Sequence, residues 1–261
     1  MMEACILASS SAGNAIAVRA ARQVVLVDAG LSARAVETRL DEIGWPAAEL
    51  AAILLTHEHR DHARGASLLA HRHRIPIYGT AGTLNALAGV WRGDEDLRPI
   101  TNGRGFSIGD VACEPFSVPH DVADPTQYVL RSDDSAIGIA TDLGRVTSLV
   151  LRKLSTVGLA IVEANHDADR LRWGTYPWEL KQRIAGAHGH LDNDQAAEFV
   201  VHLAQAGVKH VVLAHLSPHH NDVDRVREVV AAALTQAGLA LVVTVVGPRE
   251  GTGIIACPPR S

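Results

Sequence analysis

The chain has 261 residues, is 47% apolar and 20% charged, and carries a formal charge of −5, so it has material for a sizeable buried core. This composition excludes a disordered tail, a collagen-like repeat, a disulfide-stapled miniprotein and a broad electropositive coat. Three dispersed cysteines, Cys5, Cys113 and Cys257, exclude a cysteine zinc ribbon and point to a reducing compartment, whereas the 14 histidines are unusual.

The first residues lack a basic, then apolar, leader pattern. In chain order, a short strand precedes Ser9-Ser10-Ser11-Ala12-Gly13-Asn14. Residues 24–27 form a continuous apolar run ending in Asp28-Ala29-Gly30, as a strand covered on both faces would. Residues 32–43 have helical spacing and stop at Gly44; strands follow at 52–55 and 75–78. From Phe106 the pattern is β, with strands at 106–108, 111–118, 127–130 and 135–140, and later at 159–162 and 210–213. Asp192-Asn193-Asp194-Gln195 reads as a helix start with a capping box, and a helix is expected at 223–233. The apolar tract from 229 to 246 is broken by Thr235-Gln236-Ala237-Gly238 and by Thr244. It reads as helix end, glycine stop and strand (239–246), not a membrane span, and an edge strand is expected at 253–256. These features predict two packed sheets with helices outside, one domain over residues 1–261, in the cytoplasm.

The chemistry concentrates in Thr56-His57-Glu58-His59-Arg60-Asp61-His62, directly after a buried strand. His57 and His59 point the same way if the segment is extended, and Asp61 and His62 turn the other way as a helix begins. Two pairs of ligands aimed at neighbouring points suit two metal ions about 3.5–4 Å apart. Imidazole and carboxylate fit zinc, manganese or iron, and the lack of thiolate disfavours a purely structural zinc. Three later segments each place one further ligand after a strand: His120 in Val118-Pro119-His120-Asp121, Asp142 in Ala140-Thr141-Asp142-Leu143-Gly144, and His215 in Leu213-Ala214-His215-Leu216-Ser217.

H-x-H-x-D-H followed by a lone His, a lone Asp and a lone His resembles the metallo-β-lactamase superfamily over essentially the whole chain. The resemblance implies a four-layer αβ/βα sandwich of the α/β class with a dinuclear site at one edge. It assigns His57, His59 and His120 to one metal, Asp61, His62 and His215 to the other, and Asp142 to a bridge. Two divalent ions less Asp61, Asp142 and a bridging hydroxide leave roughly one positive charge, a match for a phosphodiester anion. The ligands alone fix hydrolysis rather than the substrate.

Other segments narrow the substrate. Ser9, Ser10, Ser11 and Asn14 fit a phosphate-binding loop and, nearly as well, a hairpin turn of small residues. Glu163-Ala164-Asn165-His166-Asp167 and Gly189-His190-Leu191-Asp192-Asn193 offer Asn165 for substrate contact and His166 or His190 for protonating a leaving oxygen, or for orienting the ligands. Arg170-Leu171-Arg172-Trp173-Gly174-Thr175-Tyr176-Pro177-Trp178, with Lys181 and Arg183, fits base stacking between phosphate contacts at Trp173, Tyr176 and Lys181, or ordinary helix packing. Together these motifs resemble the YycJ/WalJ family. The family implies a metal-dependent phosphodiesterase that degrades DNA from the 5′ end, in mismatch repair and, in some bacteria, cell-wall signalling. The residues themselves suggest a bridging hydroxide as nucleophile, with catalytic roles for Asp61 and for His190 or His166. Arg60 stands where a small residue is expected and should point away from the metals. The implied cofactors are two divalent ions and the partner is DNA, held by a local basic and aromatic patch, with no membrane contact. Rival readings are a hydrolase of small thioesters or cyclic phosphodiesters and a non-catalytic metal-dependent binding protein.

Overall fold

The structure, a computed structural model, describes residues 1–248 and 250–259. Its first half contains β1 (Met2–Ser10), β2 (Gly13–Ala20), β3 (Gln23–Val27), α1 (Ala33–Glu42), β4 (Leu50–Leu54), α2 (Arg60–Ala63), α3 (Ala66–His73), β5 (Ile77–Thr80), α4 (Ala81–Ala86) and β6 (Leu97–Ile100). The second half runs β7 (Phe106–Ile108), β8 (Val111–Ser117), β9 (Thr126–Ser132), β10 (Ser135–Ala140), α5 (Ser148–Leu154), β11 (Leu159–Glu163), α6 (Ala168–Trp173) and α7 (Trp178–Ile184). It continues with α8 (Asn193–Gln205), β12 (His210–Ala214), α9 (Val223–Gln236), β13 (Val242–Val245) and β14 (Ile255–Ala256).

Two seven-stranded sheets result, ordered β14-β1-β2-β3-β4-β5-β6 and β13-β12-β11-β10-β9-β8-β7. Pairing is parallel from β3 to β6 and from β10 to β13. Inner strands such as β3, β11 and β12 are buried on both faces, which is why they read as unbroken apolar runs without alternation. Ile6, Val18 and Leu54 of the first sheet meet Leu130, Ile139 and Ile161 of the second in one central cluster. Leu40 and Leu69 of α1 and α3 cover the first sheet, and Phe199, Val200 and Val230 of α8 and α9 cover the second. The order helix, sheet, sheet, helix is the four-layer αβ/βα sandwich of the metallo-β-lactamase fold.

The helices form where their caps and apolar stripes agree. The Ser32 hydroxyl accepts from Ala35 N to open α1, whose Ala33, Val36 and Leu40 are buried; full burial of Leu40 contributes about 2 kcal/mol. Asp192 and Gln195 close the expected capping box on α8. No helix among the described residues is long and apolar enough to cross a membrane.

Some boundaries differ from the sequence expectation. The strand expected at 75–78 begins only at Ile77, after Pro76, and the one expected at 239–246 is confined to Val242–Val245. Ser9, Ser10, Gly13 and Asn14 pair across a β1–β2 hairpin, so the small-residue turn is what forms there. The parallel strands bring their C-terminal ends to one edge. The residues that follow them carry the polar cluster, as open α/β sheets place their ligand sites.

Candidate metal centre

The first residue after β3 is Asp28, and its carboxylate organises one side of the edge. It accepts Thr56 N at 2.8 Å and Thr56 Oγ1 at 2.8 Å, and it faces His62 Nδ1 at 2.7 Å. Thr56 Oγ1 in turn lies 2.9 Å from His57 Nδ1. Both imidazoles are thereby fixed with Nε2 facing inward. Asn14 Nδ2 sits 3.0 Å from His62 Nε2 and 3.4 Å from Asp61 Oδ2, while Gly189 O holds His120 Nδ1 at 3.3 Å.

All seven residues of the expected ligand set come together. His57, His59 and His120 form one group whose ligating atoms lie within 4.8 Å of one another, and Asp61, His62 and His215 form a second. Asp142 joins His57 and His62 in a third group, and joins His190 and His215 in a fourth. Its Oδ2 is 3.5 Å from His62 Nε2, and its Oδ1 lies 3.4 Å from His215 Nδ1 and 3.9 Å from His120 Nε2. His57 Nε2, His120 Nε2, His215 Nδ1 and Asp142 Oδ2 are buried without hydrogen-bond partners. Buried polar atoms left unpaired in one spot carry a cost unless something binds them. Nitrogen and carboxylate donors converging in this way fit divalent metal ions.

Glu163, the last residue of β11, organises the other side. It accepts Leu143 N at 2.7 Å, Leu191 N at 2.9 Å and Asp142 N at 3.1 Å, and its Oε2 meets His190 Nδ1 at 3.0 Å. One buried carboxylate therefore ties the Asp142 loop, the His190 segment and β11 together.

The electrostatics follow from these contacts. Burial keeps His57 well below the ordinary imidazole range, and the charge of His62 adds to this, leaving a neutral ring. Burial opposes a charge on His62 too, but the carboxylates of Asp142 and Asp28 outweigh it and push its pKa up to about 10. For His190 burial is likewise overcome by Glu163, which raises it to about 9. Burial works against ionised Asp142, yet His215, His62, His57 and His120 hold it well below the usual carboxylate range.

The edge also carries backbone strain. Asp28, Asp142 and His215 have φ of 61°, 57° and 56°, in the left-handed region that L-residues avoid. Each lies one or two residues beyond a parallel strand, where the chain must bend sharply to aim a side chain back across the edge.

Other expected site residues fall in different places. Ser9 Oγ accepts His215 N at 2.8 Å, Ser10 Oγ accepts Ala12 N at 3.2 Å, and Asn14 serves Asp61 and His62. These three are buried and face the site's own frame; Ser11, at the turn, reaches a cavity of about 130 Å³ with Asn165, Tyr176 and His190. A second cavity of about 190 Å³ lies beyond Ile184, lined by His59, His120, Arg183 and His190. Both open beside the ligand cluster, and Ile184 borders both. His166 is 2% exposed, lines neither cavity and bridges by backbone to Asp192; burial lowers its pKa to about 4. Trp173 and Trp178 are 78% and 64% exposed, Arg172 lies over the Trp173 ring at 5.5 Å, and Lys181 Nζ donates to Arg172 O at 2.9 Å. Arg60 is exposed at the first turn of α2. A larger cavity, about 970 Å³, lies at the start of α9, but its arginines are engaged in Arg170–Asp222 and Arg225–Asp167 pairs and it holds none of the ligand cluster.

Sequence reasoning passed over Asp28 and Glu163 as individuals. The available signal was a lone acid ending each apolar strand, a costly residue in that position unless it has partners.

Residues 23–216 match the family described as "Beta-lactamase superfamily domain". "Exodeoxyribonuclease WalJ" of Streptococcus pneumoniae is 34% identical over 240 residues, covering 90% of this chain and 89% of that protein. "Exodeoxyribonuclease YycJ" of Bacillus anthracis is 33% identical over 238 residues, covering 90% of each. Among solved structures, the metallo-β-lactamase fold protein YhfI from Bacillus subtilis superposes with a TM-score of 0.74 at 17% identity, over 97% of this chain and 99% of that one. The fold and the cluster make this protein a metal-dependent hydrolase. The chain belongs to the metallo-β-lactamase superfamily and, within it, to the family of WalJ and YycJ.

Proposed function

We propose that the protein is a dinuclear metal-dependent exonuclease that degrades DNA from its 5′ end, in the manner of mismatch-repair nucleases. The observation that carries this reading is the convergence of seven side chains, four of them offering buried, unpartnered ligand atoms, in a chain sharing a third of its residues with two exodeoxyribonucleases over nine-tenths of its length. His57, His59 and His120 would hold one ion and Asp61, His62 and His215 the other, with Asp142 between them. Zinc or manganese held there would supply Lewis-acid chemistry, polarising a phosphoryl group and lowering the pKa of water toward neutrality.

The chain's own residues do the rest. Asp28 and Thr56 fix the rings of His62 and His57, and Gly189 O fixes His120, so the ligands meet their ions without reorganising. Glu163 keeps His190 protonated. Because Nδ1 is committed to Glu163, the proton on Nε2 is the one delivered to the departing oxygen. Asp61, at the mouth of the smaller cavity with Ser11 and Asn165, helps to place the attacking water. Trp173 and Lys181 contact DNA beyond the centre, where an exposed ring stacks on a base and a cation meets a phosphate, while Tyr176 contacts it within the smaller cavity. His166, buried outside both cavities, holds the start of α8.

The test is degradation of single strands labelled at either end, with zinc or manganese and with chelator. Release of mononucleotides from the 5′ end, lost with chelator and restored by metal, is expected; turnover of small thioesters or cyclic phosphodiesters without DNA degradation refutes it. The narrow cavities would admit such small esters, but exposed Trp173 would then have no task.

A further inference from the structure

The proposed reaction leaves one cation beside the centre without a role. Arg183, on α7, lines the cavity of about 190 Å³ together with His59, His120 and His190. Its Nε donates to Asp121 Oδ2, and Asp121 Oδ1 lies 3.9 Å from His120 Nε2. A single carboxylate group thus separates this guanidinium from a nitrogen of the ligand cluster. Neither of its terminal NH₂ groups has a hydrogen-bond partner among the described residues.

A guanidinium anchored along one edge and bare along the other is a preorganised fork for a phosphate oxygen pair. Its mounting is firm. Leu180 and Ile184, one helical turn apart, face the same cavity from α7. The segment after the helix is tied down by His190 N donating to Ile184 O at 2.8 Å and by Asp121 N donating to His188 O at 3.1 Å. Along the edge the order is Asp142, His120, Asp121, Arg183, with 3.9 Å between Asp142 Oδ1 and His120 Nε2. If the scissile phosphate sits over Asp142, the group that Arg183 meets is farther along the strand. At about 190 Å³ the cavity is smaller than the roughly 300 Å³ at which pockets enclose whole drug-sized molecules, so it suits a phosphate with its base left outside.

We propose that Arg183 binds the phosphate neighbouring the scissile one, with Asp121 as the positioning residue that orients it. The assignment rests on the exonuclease reading. It makes this part of the site a reader of nucleic-acid backbone rather than of base sequence.

The experiment compares wild type, Arg183→Gln and Arg183→Lys in two measurements. The first is binding of a fluorescent single-stranded oligonucleotide to metal-free protein across a salt series. Loss of one phosphate contact flattens the slope of log affinity against log salt by about 0.7, and Arg183→Lys, which keeps the charge, restores most of it. The second is turnover, with metal, of DNA and of bis(p-nitrophenyl) phosphate, a diester with no neighbouring phosphate. Arg183→Gln should reduce kcat/KM on DNA by about 10- to 100-fold, mainly through KM, and at least tenfold more than on the small diester. An unchanged salt slope, or equal losses on both substrates, overturns the assignment, since a mere prop for α7 would weaken both alike. A wild type that degrades no DNA sinks the exonuclease reading and the Arg183 assignment together. A wild type active on DNA alongside an unaltered Arg183→Gln slope sinks Arg183 alone.

Discussion

Glu163→Gln separates the charge of the buried carboxylate from its size. In the wild type Glu163 raises His190 to about 9, so the imidazole is about 90% protonated at pH 8. Without that charge, His190 returns toward the ordinary value near 6.5 and only about 3% is protonated at pH 8. The difference of roughly 2.5 pH units corresponds to about 3 kcal/mol of interaction, consistent with a contact of 3.0 Å from a fully buried carboxylate to a half-buried ring. The sign is fixed by the role: an acid that must be protonated sets an alkaline limb. The limb for kcat should move from near 9 toward 6.5, with a loss of about thirtyfold at pH 8 and a much smaller loss at pH 6. The assay is a pH–rate profile on labelled DNA, with metal content and Tm measured in parallel, because Gln also presents an N–H where Asp142 N now donates. An alkaline limb that stays in place while activity falls at every pH would show that Glu163 only holds the Asp142 loop, and the proton-delivery argument would be wrong.

Asp28→Asn should lower metal affinity about 10- to 100-fold while leaving the far-UV circular dichroism unchanged, because the ring of His62 loses its charged orienting partner; chelator competition measures it, and unaltered affinity would contradict the role given to Asp28. Metal must displace the proton that holds His62 charged up to about 10, so affinity should rise about tenfold per pH unit between 7 and 9 for each proton released. Calorimetry in buffers of different ionisation enthalpy counts those protons, and a count of zero would contradict the raised His62. Trp173→Ala should weaken oligonucleotide binding by about 1–3 kcal/mol with little change in Tm, since the ring is 78% exposed; fluorescence anisotropy reads the loss.

The cluster of candidate ligands was legible because its members follow apolar runs, where a change from hydrophobic to ionisable residues is visible without knowing the fold. The capping box at Asp192 and Gln195 was legible for a similar reason, being a local pattern satisfied within one turn. What escaped notice depends on contacts between distant parts of the chain. Asp28 becomes meaningful only when β3 and β4 lie side by side, and Glu163 only when it reaches residues 142, 143, 190 and 191 together. For the Ser9–Asn14 segment the sequence left a ligand loop and a small-residue hairpin nearly equal, because hydroxyls and an amide suit anions as well as turns; the hairpin pairing turns most of them inward. Strand β6 was hidden by Pro99, which an edge strand tolerates and a central strand would not. Gly144 gives no local signal either, yet a Cβ there would lie 2.3 Å from the Ala187 carbonyl carbon, so its smallness is what lets the segment before His190 close over the Asp142 loop.

The left-handed backbone at Asp28, Asp142 and His215 sets a limit on improving this protein. Glycine adopts that conformation without penalty and would relieve about 1 kcal/mol of local strain at any of the three, but at Asp28 it would also strand Thr56 N and the charged ring of His62, at a cost of about 1–3 kcal/mol each. The strain at this edge is thus locked in by the polar network around it, and a thermostabilised form has to gain its resistance elsewhere, in the helices and outer layers.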